Sequence, residues 1–165
     1  MPEVIIYPTG GGTGLIGMWK AFEEMEALGW IGTERPRLVS VQASGCAPVV
    51  KAFEEGKERA DAWPDPRTAA SGLRVPSSLG DFLMLRALRG SGGTAVAVED
   101  HEMMEGAAAL ATREGIDACP EGGAALAALR RLIRNRSVAA EETVVLFNTG
   151  TGLKSFDREG PSPGS

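Results

Sequence analysis

The stretch VIIYPTGGGTGLIG, residues 4–17, constrains the fold more than any other part of the sequence. Its first half is a short β-branched apolar run, which is typical of a buried strand. Its second half opens a pattern of apolar residues at helical spacing, and Gly29 is placed to end that helix. Three consecutive glycines join the two patterns. A plain tight turn needs fewer glycines, so the stretch predicts a specialised strand–loop–helix unit.

The alternation of strands and helices continues along the chain. Short apolar runs at 38–41, 94–98 and 143–147 predict three more strands, and helical patterns cover 47–55, 79–88, 100–115 and 120–135. Asp100 is expected to cap the third of these helices. The proline-containing stretch 61–76 predicts an irregular segment. This order favours an α/β fold with a partial, open and mostly parallel sheet that carries helices on both faces.

Composition narrows the functional classes. The chain has 165 residues and a net charge of −5, with scattered basic residues, which argues against a nucleic-acid partner. No apolar run approaches the roughly 20 residues of a membrane span, and the N-terminus has no signal-peptide pattern. We therefore expect a cytoplasmic protein without a membrane partner. One histidine and two distant cysteines, Cys46 and Cys119, suggest neither a metal cluster nor a disulfide framework.

The glycine loop has the features of an anion site. A helix beginning after Gly12 leaves free N–H groups at the positive end of its dipole, and glycines let an anion approach the backbone closely. Thr13 adds a hydroxyl donor, and no acidic residue lies between Gly10 and Ala21. The sequence therefore predicts that the loop binds a phosphate.

Two nucleotide interpretations fit poorly. A nucleotide P-loop requires Gly-Lys-Ser/Thr at its end, whereas Gly17 is followed by Met18. The dinucleotide fingerprint exists formally over residues 12–17, but the second strand ends in Gln42 where an acidic residue should hold the ribose. A single phosphate remains, as on pyridoxal phosphate or a sugar phosphate.

A second glycine-containing stretch, NTGTG at 148–152, follows the last strand. Ligands of open α/β sheets bind beyond the carboxyl ends of strands, so both stretches can face one crevice. The hydroxyls of Thr149 and Thr151 could hydrogen-bond a neutral ring nitrogen, whereas a carboxylate would favour its protonation. An ordinary turn after a buried strand is the alternative.

Four segments in this order resemble the threonine synthases, which are fold-type II pyridoxal-phosphate enzymes: PTGGGTGLIGMWKAF, SGLRVPSSLGDFLMLRAL, PEGGAALAALRRL and LFNTGTGLK. The resemblance covers Val4 to Phe156. It implies a C-terminal part of the large domain of such an enzyme over residues 1–156. Residues 157–165 contain no apolar side chain, which predicts a flexible tail. The resemblance also implies pyridoxal 5'-phosphate as the cofactor. The implied cofactor-binding residues are Gly10, Gly11, Gly12, Thr13 and Gly14, through backbone amides, and Thr149, facing the pyridine nitrogen.

The family is a lyase family of threonine biosynthesis that converts O-phospho-L-homoserine and water to L-threonine and phosphate. Its Schiff-base lysine lies in an N-terminal motif that this chain lacks. Of Lys20, Lys51, Lys57 and Lys154, only Lys154 lies near the expected crevice, at a family position that is not the Schiff-base lysine. The resemblance therefore implies a chain that is inactive alone and associates with a missing N-terminal half or with itself. The alternatives are a hydroxyamino-acid dehydratase, a cysteine synthase-like enzyme or a non-enzymatic fragment.

Five further residues are candidates for a role in the site. His101 is expected on the surface of a first helical turn, and Cys46 is expected to pack in the core rather than act as a nucleophile. Glu121 begins a helix in a PEG motif that resembles the family's loop near the cofactor ring, which suggests a supporting role. Arg74 and Ser77 lie in the irregular segment, from which they could reach a substrate.

Overall fold

A computed structural model describes residues 1–154, so the expected tail at 157–165 lies outside the described residues. Strands and helices alternate in the order β1 (Val4–Pro8), α1 (Thr13–Ala27), β2 (Arg37–Ala43), α2 (Pro48–Glu54), α3 (Asp81–Gly90), β3 (Thr94–Val98), α4 (Asp100–Glu114), α5 (Pro120–Arg134) and β4 (Val144–Leu146). Two short 3-10 turns, Ser71–Leu73 and Gly152–Lys154, complete the described elements. Within residues 1–154, no helix has the length and apolar character that a membrane crossing requires.

The four strands form one parallel sheet in the order β3-β2-β1-β4. This confirms the predicted α/β fold and parallel sheet. In the register, Ile5 of β1 lies between Leu38 of β2 and Val145 of β4. The chain adds strands on one side of β1 up to β3 and then crosses to the opposite side to form β4. The carboxyl ends of β1 and β4 therefore mark the point where the direction of winding reverses.

Helices cover both faces of the sheet, as the sequence predicted. Alternate residues of β1 serve the two faces: Val4 and Ile6 pack with the α4–α5 side, and Ile5 packs with the α1–α3 side. Helix α5 lies directly on the sheet, and α4 packs closely against α5. A Cβ on Gly106 of α4 would lie 2.3 Å from the carbonyl oxygen of Gly123 of α5, so glycine permits this close approach.

The predicted start of helix α3 is wrong by two residues. Helix α3 begins at Asp81 rather than at Leu79, which is 98% exposed in the preceding loop. The buried Asp81 carboxylate accepts hydrogen bonds from the N–H groups of Phe82 and Ala60, each at 2.7 Å. This carboxylate fixes both the helix start and the neighbouring loop.

The prediction that Asp100 caps the N-terminus of α4 is also wrong. Glu99 is the N-cap residue of α4, and its N–H donates to the Glu102 carboxylate at 2.9 Å. The Asp100 carboxylate instead accepts bonds from the Thr68 hydroxyl at 2.6 Å and the Ala69 N–H at 2.7 Å. Asp100 therefore anchors the irregular segment to the sheet end, a long-range role that local sequence does not reveal.

Candidate functional site

The loops after β1 and β4 meet in one pocket of about 400 Å³ at the point where the winding reverses. Because the two strands pair directly in the sheet, their following loops are neighbours although they are far apart in sequence. The pocket contains all six residues that the sequence analysis assigned to the cofactor. Its lining comprises Tyr7, Pro8, Gly10, Gly11, Gly12, Thr13, Gly14, Ser71, Gly72, Leu73, Cys119, Glu121, Thr149, Gly150 and Thr151.

At three glycines of the first loop, an added Cβ would lie too close to a neighbouring atom. Gly12, the N-cap residue of α1, has φ +85°, and a Cβ there would lie 2.1 Å from the Met84 sulfur. A Cβ on Gly10 would lie 2.2 Å from the Gly72 carbonyl oxygen, and one on Gly14 would lie 2.1 Å from the Tyr7 hydroxyl. Gly11 has open space around it. The loop therefore packs closely against Tyr7, Gly72 and Met84 and is open at Gly11.

The N–H groups of residues 10–15 donate to no acceptor within residues 1–154. The first hydrogen bond of α1 runs from the Ile16 N–H to the Gly12 carbonyl oxygen at 3.0 Å. Successive free N–H groups at the start of a 15-residue helix, together with its dipole, attract an anion. Thr13 is exposed at the same end. This cradle suits a phosphate group.

The opposite wall is formed by the loop after β4 and the start of α5. Thr151 bridges to Ala118, and the Cys119 N–H donates to the Gly150 carbonyl oxygen at 3.2 Å. Thr149 is exposed at the pocket, which leaves its hydroxyl available to a ligand. Burial raises the pKa of the Cys119 thiol, and the neighbouring Glu121 carboxylate raises it further. Cys119 therefore stays protonated at neutral pH and is a poor nucleophile.

A third wall comes from the irregular segment. The 3-10 turn Ser71–Leu73 lies beside Gly10, and the Glu121 carboxylate accepts a hydrogen bond from the Gly72 N–H at 2.8 Å. Glu121 thus ties this turn to α5 and lines the pocket itself. The Ser78 hydroxyl adds a bond to the Gly11 carbonyl oxygen at 2.8 Å. The irregular segment therefore encloses the glycine loop.

Gln42 occupies the position where a dinucleotide-binding protein would need an acid. Its side chain is fully buried, donates to the Thr9 carbonyl oxygen at 3.3 Å and accepts bonds from the N–H groups of Val49 and Val50. All of its partners are backbone groups. Gln42 therefore joins β1 to the start of α2, and nothing in this arrangement offers a ribose site.

Several of the further site candidates from the sequence lie outside the pocket. Cys46 is buried in the core, and burial raises the pKa of its thiol. His101 is exposed on α4, and Arg74 is exposed beyond the Ser71–Leu73 turn. Ser77 borders a neighbouring cavity of about 510 Å³ on the other side of the glycine loop. Both cysteines are free, as expected from their spacing.

The described lysine side chains also lie outside the pocket. Lys20 is exposed and paired with Glu24, and Lys51 is exposed on α2. Lys57 forms ion pairs with Glu55 at 2.7 Å and Asp61 at 2.8 Å. Hydrogen bonds to these two carboxylates raise the Lys57 pKa, so this amine stays charged.

Sequence reasoning missed Tyr7, the Ser71–Leu73 turn and Cys119 as pocket residues. The sequence pattern predicts Tyr7 only as a strand residue. In the structure it lines the pocket, and its ring packs against Phe147 with centroids 5.2 Å apart. Its place at the end of a strand before the glycine loop was the available signal. No local signal marked Ser71–Leu73, because its position depends on contacts with Gly10 and Glu121.

The pocket fits pyridoxal phosphate. Its volume of about 400 Å³ lies within the range of about 300–1,000 Å³ that is usual for small-molecule and cofactor sites. The free N–H groups suit a phosphate, and the exposed Thr149 hydroxyl can donate to a ring nitrogen. These donors are compatible with a phosphorylated pyridine ring.

Comparison with known proteins finds similar sequences among threonine synthases. The chain is 33% identical to the threonine synthase of Methanocaldococcus jannaschii over 157 residues, which cover 95% of this chain and 38% of the relative. It is 34% identical to that of Methanosarcina acetivorans over 154 residues, covering 93% of this chain and 38% of the relative. The chain therefore spans about two-fifths of the length of these curated relatives.

Solved structures share the fold. Threonine deaminase isoform 2 of Solanum lycopersicum matches with a TM-score of 0.71 and 16% identity, over 91% of this chain and 40% of that one. An L-serine ammonia-lyase of Rhizomucor miehei matches with a TM-score of 0.68 and 22% identity, over 91% and 45%. Residues 1–150 match the family described as "Pyridoxal-phosphate dependent enzyme". On this match and the likeness to the threonine synthases, the chain belongs to the family of pyridoxal-phosphate dependent enzymes.

Proposed function

We propose that this chain is the part of a threonine synthase that holds the cofactor's phosphate and pyridine ring. The reaction of the whole protein would convert O-phospho-L-homoserine and water to L-threonine and phosphate. The observation that carries the proposal is that the unpaired N–H groups of residues 10–14 and the exposed Thr149 line one pocket. The names of the curated relatives favour this activity over others on the same fold.

The roles of the chain's own residues follow from the pocket. The amides of residues 10–14 would bind the phosphate, and the helix dipole of α1 would offset its charge. The Thr149 hydroxyl would hydrogen-bond the ring nitrogen without favouring its protonation. Glu121 would keep the Ser71–Leu73 turn against the glycine loop through its bond to Gly72. When bound, the cofactor supplies an electron sink for negative charge that develops on the substrate.

The reacting lysine would come from a part of the protein outside this chain. The side chains of Lys20, Lys51 and Lys57 lie away from the pocket. Lys154 stands at a position that, by the family resemblance, is not that of the Schiff-base lysine. We therefore expect the isolated chain to bind the cofactor only non-covalently and to be inactive. Association with a lysine-bearing segment is required for turnover.

A chimera tests the proposal. This chain would replace the matching region of the M. jannaschii threonine synthase, and phosphate release from O-phospho-L-homoserine would be measured together with L-threonine. We expect both products in equal amounts. L-threonine and L-serine would be supplied as competing substrates, and formation of 2-oxo acids from them without phosphate release would contradict the proposal in favour of a dehydratase.

A matched pair of variants controls the chimera experiment. Gly12→Ala alters the cradle, whereas Arg130→Gln changes an exposed residue of α5 outside the pocket. We expect the first to abolish product formation and the second to leave it unchanged. Equal activity of both variants would show that the glycine loop does not hold the cofactor.

A further inference from the structure

The outer side of α3 carries a second pocket of about 840 Å³. It is built from the turn after α2 and from one side of α3, and it shares no lining residue with the glycine-loop pocket. The lining consists of Glu58, Arg59, Phe82, Arg86, Arg89 and Gly90. Three arginines and one glutamate give this lining a formal charge of +2, within a chain whose net charge is −5.

Two of the arginines contact aromatic rings and keep free N–H donors. The Arg59 guanidinium lies 4.5 Å from the centroid of the Phe82 ring. The Arg89 guanidinium lies 5.7 Å from the Phe53 ring centroid and donates one bond to the Lys57 carbonyl oxygen at 2.6 Å. Because a guanidinium has five N–H donors, both groups keep donors for a ligand.

The surrounding acids offset the charge of the cluster only in part. Asp81 lies 3.5 Å from Arg59 and offsets part of its charge, while its oxygens also accept two backbone N–H groups. Arg86 is exposed and forms no ion pair within the described part of the chain. The two acids nearest in sequence to Arg59, apart from Glu58, pair with Lys57 instead.

We propose that this pocket binds a small polyphosphate anion, either inorganic or as part of a nucleotide. Guanidinium groups present paired N–H donors that match phosphate oxygens. Arginines on two separate segments suit a ligand with more than one phosphate group better than a single phosphate ion. The volume, about twice the 400 Å³ of the glycine-loop pocket, leaves room for such a ligand. The site is independent of the proposed reaction.

Calorimetric titration of the 165-residue chain with ATP and with inorganic pyrophosphate, at low ionic strength, tests the proposal. We expect saturable binding of one equivalent. Arg86→Gln should weaken it about tenfold, because one set of charge-assisted hydrogen bonds is lost. Arg86→Gln/Arg89→Gln should weaken it further, and Arg86→Lys, which keeps the charge, should retain part of the affinity. The control is Arg130→Gln, an equal change of charge on α5, which should leave affinity unchanged.

Each outcome is decisive. Tighter binding of ATP than of pyrophosphate assigns the site to a nucleotide, and equal binding assigns it to the inorganic anion. Saturating pyridoxal phosphate should not displace either probe, since the pockets are separate. Absence of binding, displacement by pyridoxal phosphate, or equal losses in Arg86→Gln and Arg130→Gln at unchanged melting temperatures would overturn the proposal.

Discussion

The two glycine-containing loops of the pocket are built differently. In the loop after β1, a Cβ at Gly10, Gly12 or Gly14 would come within 2.1–2.2 Å of a neighbouring atom. Gly12 also has a positive φ. At Gly10 the close neighbour is a backbone carbonyl oxygen, and at Gly12 the backbone conformation itself favours glycine, so the backbone determines much of the shape of this loop. A fixed set of N–H groups suits a ligand group that does not change, such as a phosphate.

The loop after β4 has more freedom. A Cβ on Gly150 would lie 3.1 Å from the Cys119 sulfur, a contact that a small shift relieves. A Cβ on Gly152 would approach the Asp117 carboxylate, an exposed side chain that can move. The polar groups that this loop offers are the hydroxyls of Thr149 and Thr151. One wall of the pocket is therefore set by backbone and the other by side chains, which are easier to change.

Alanine substitutions should show the largest difference between the loops. Gly12→Ala places a Cβ at φ +85° and 2.1 Å from the Met84 sulfur, and we expect it to lower the free energy of unfolding by about 3 kcal/mol. Gly150→Ala should lower it by less than about 1 kcal/mol. Urea unfolding of the chain, followed by circular dichroism, measures both.

Gly11→Ala is the matched control, because its added Cβ meets open space. It should change the free energy of unfolding by no more than about 0.5 kcal/mol. Equal decreases in the free energy of unfolding for Gly12→Ala and Gly150→Ala would show that the two loops do not differ in how strictly they need glycine.

A smaller effect is expected on ligand affinity at the second loop. Thr149→Val removes the hydroxyl at nearly constant volume and should weaken binding of pyridoxal phosphate about fivefold, which corresponds to one hydrogen bond of about 1 kcal/mol. Thr149→Ser keeps the hydroxyl and should bind as the parent does. Absorbance titration of the isolated chain measures the affinity. Equal weakening in both variants would show that Thr149 acts through packing rather than through its hydroxyl.

The smallest expected effect is a local pH dependence at the start of β4. The Thr143 N–H holds the pKa of Glu3 below its ordinary value of 4.5, with a bond of 2.7 Å. The Ala139 N–H and the Arg37 guanidinium lower the pKa of Glu142 in the same way. Since both values are lower in the folded chain, their stabilisation is complete above about pH 4.5 and is lost as the pH falls through the lowered values.

Hydrogen exchange of backbone amides measures this loss strand by strand. Between pH 5 and pH 3, β4 should lose protection before β1 and β2, because Glu3 and Glu142 bond to the N–H groups of Thr143 and Ala139 just before β4, whereas β1 and β2 pair over five residues. Glu3→Gln/Glu142→Gln should make β4 protection lower and nearly independent of pH over this range. Simultaneous loss of hydrogen-exchange protection in all four strands would contradict the expectation that β4 and the loop after it open more readily than the rest of the sheet.

Local sequence predicted most elements because each has a local cause. The apolar run at Val4 gives a strand, and Pro120 begins α5 at the first helical position. The errors fall where a side chain acts at long range. Asp100 bonds to Thr68 and Ala69 instead of capping its own helix, and Asp81 rather than Leu79 begins α3 because its carboxylate also holds Ala60. Spacing along the chain carries no information about such contacts.

The sequence by itself determined the phosphate-cradle pattern, because a strand, a glycine run and a helix start define free N–H groups from local geometry alone. It also indicated that Thr149 follows a strand end. Only the tertiary structure decided that β4 pairs with β1, which brings Thr149 and the glycine loop into one pocket. It likewise added Tyr7 and Cys119 to the lining. The physical reason is that strand pairing and long-range hydrogen bonds depend on the packing of the whole sheet, whereas capping and loop geometry depend on neighbouring residues.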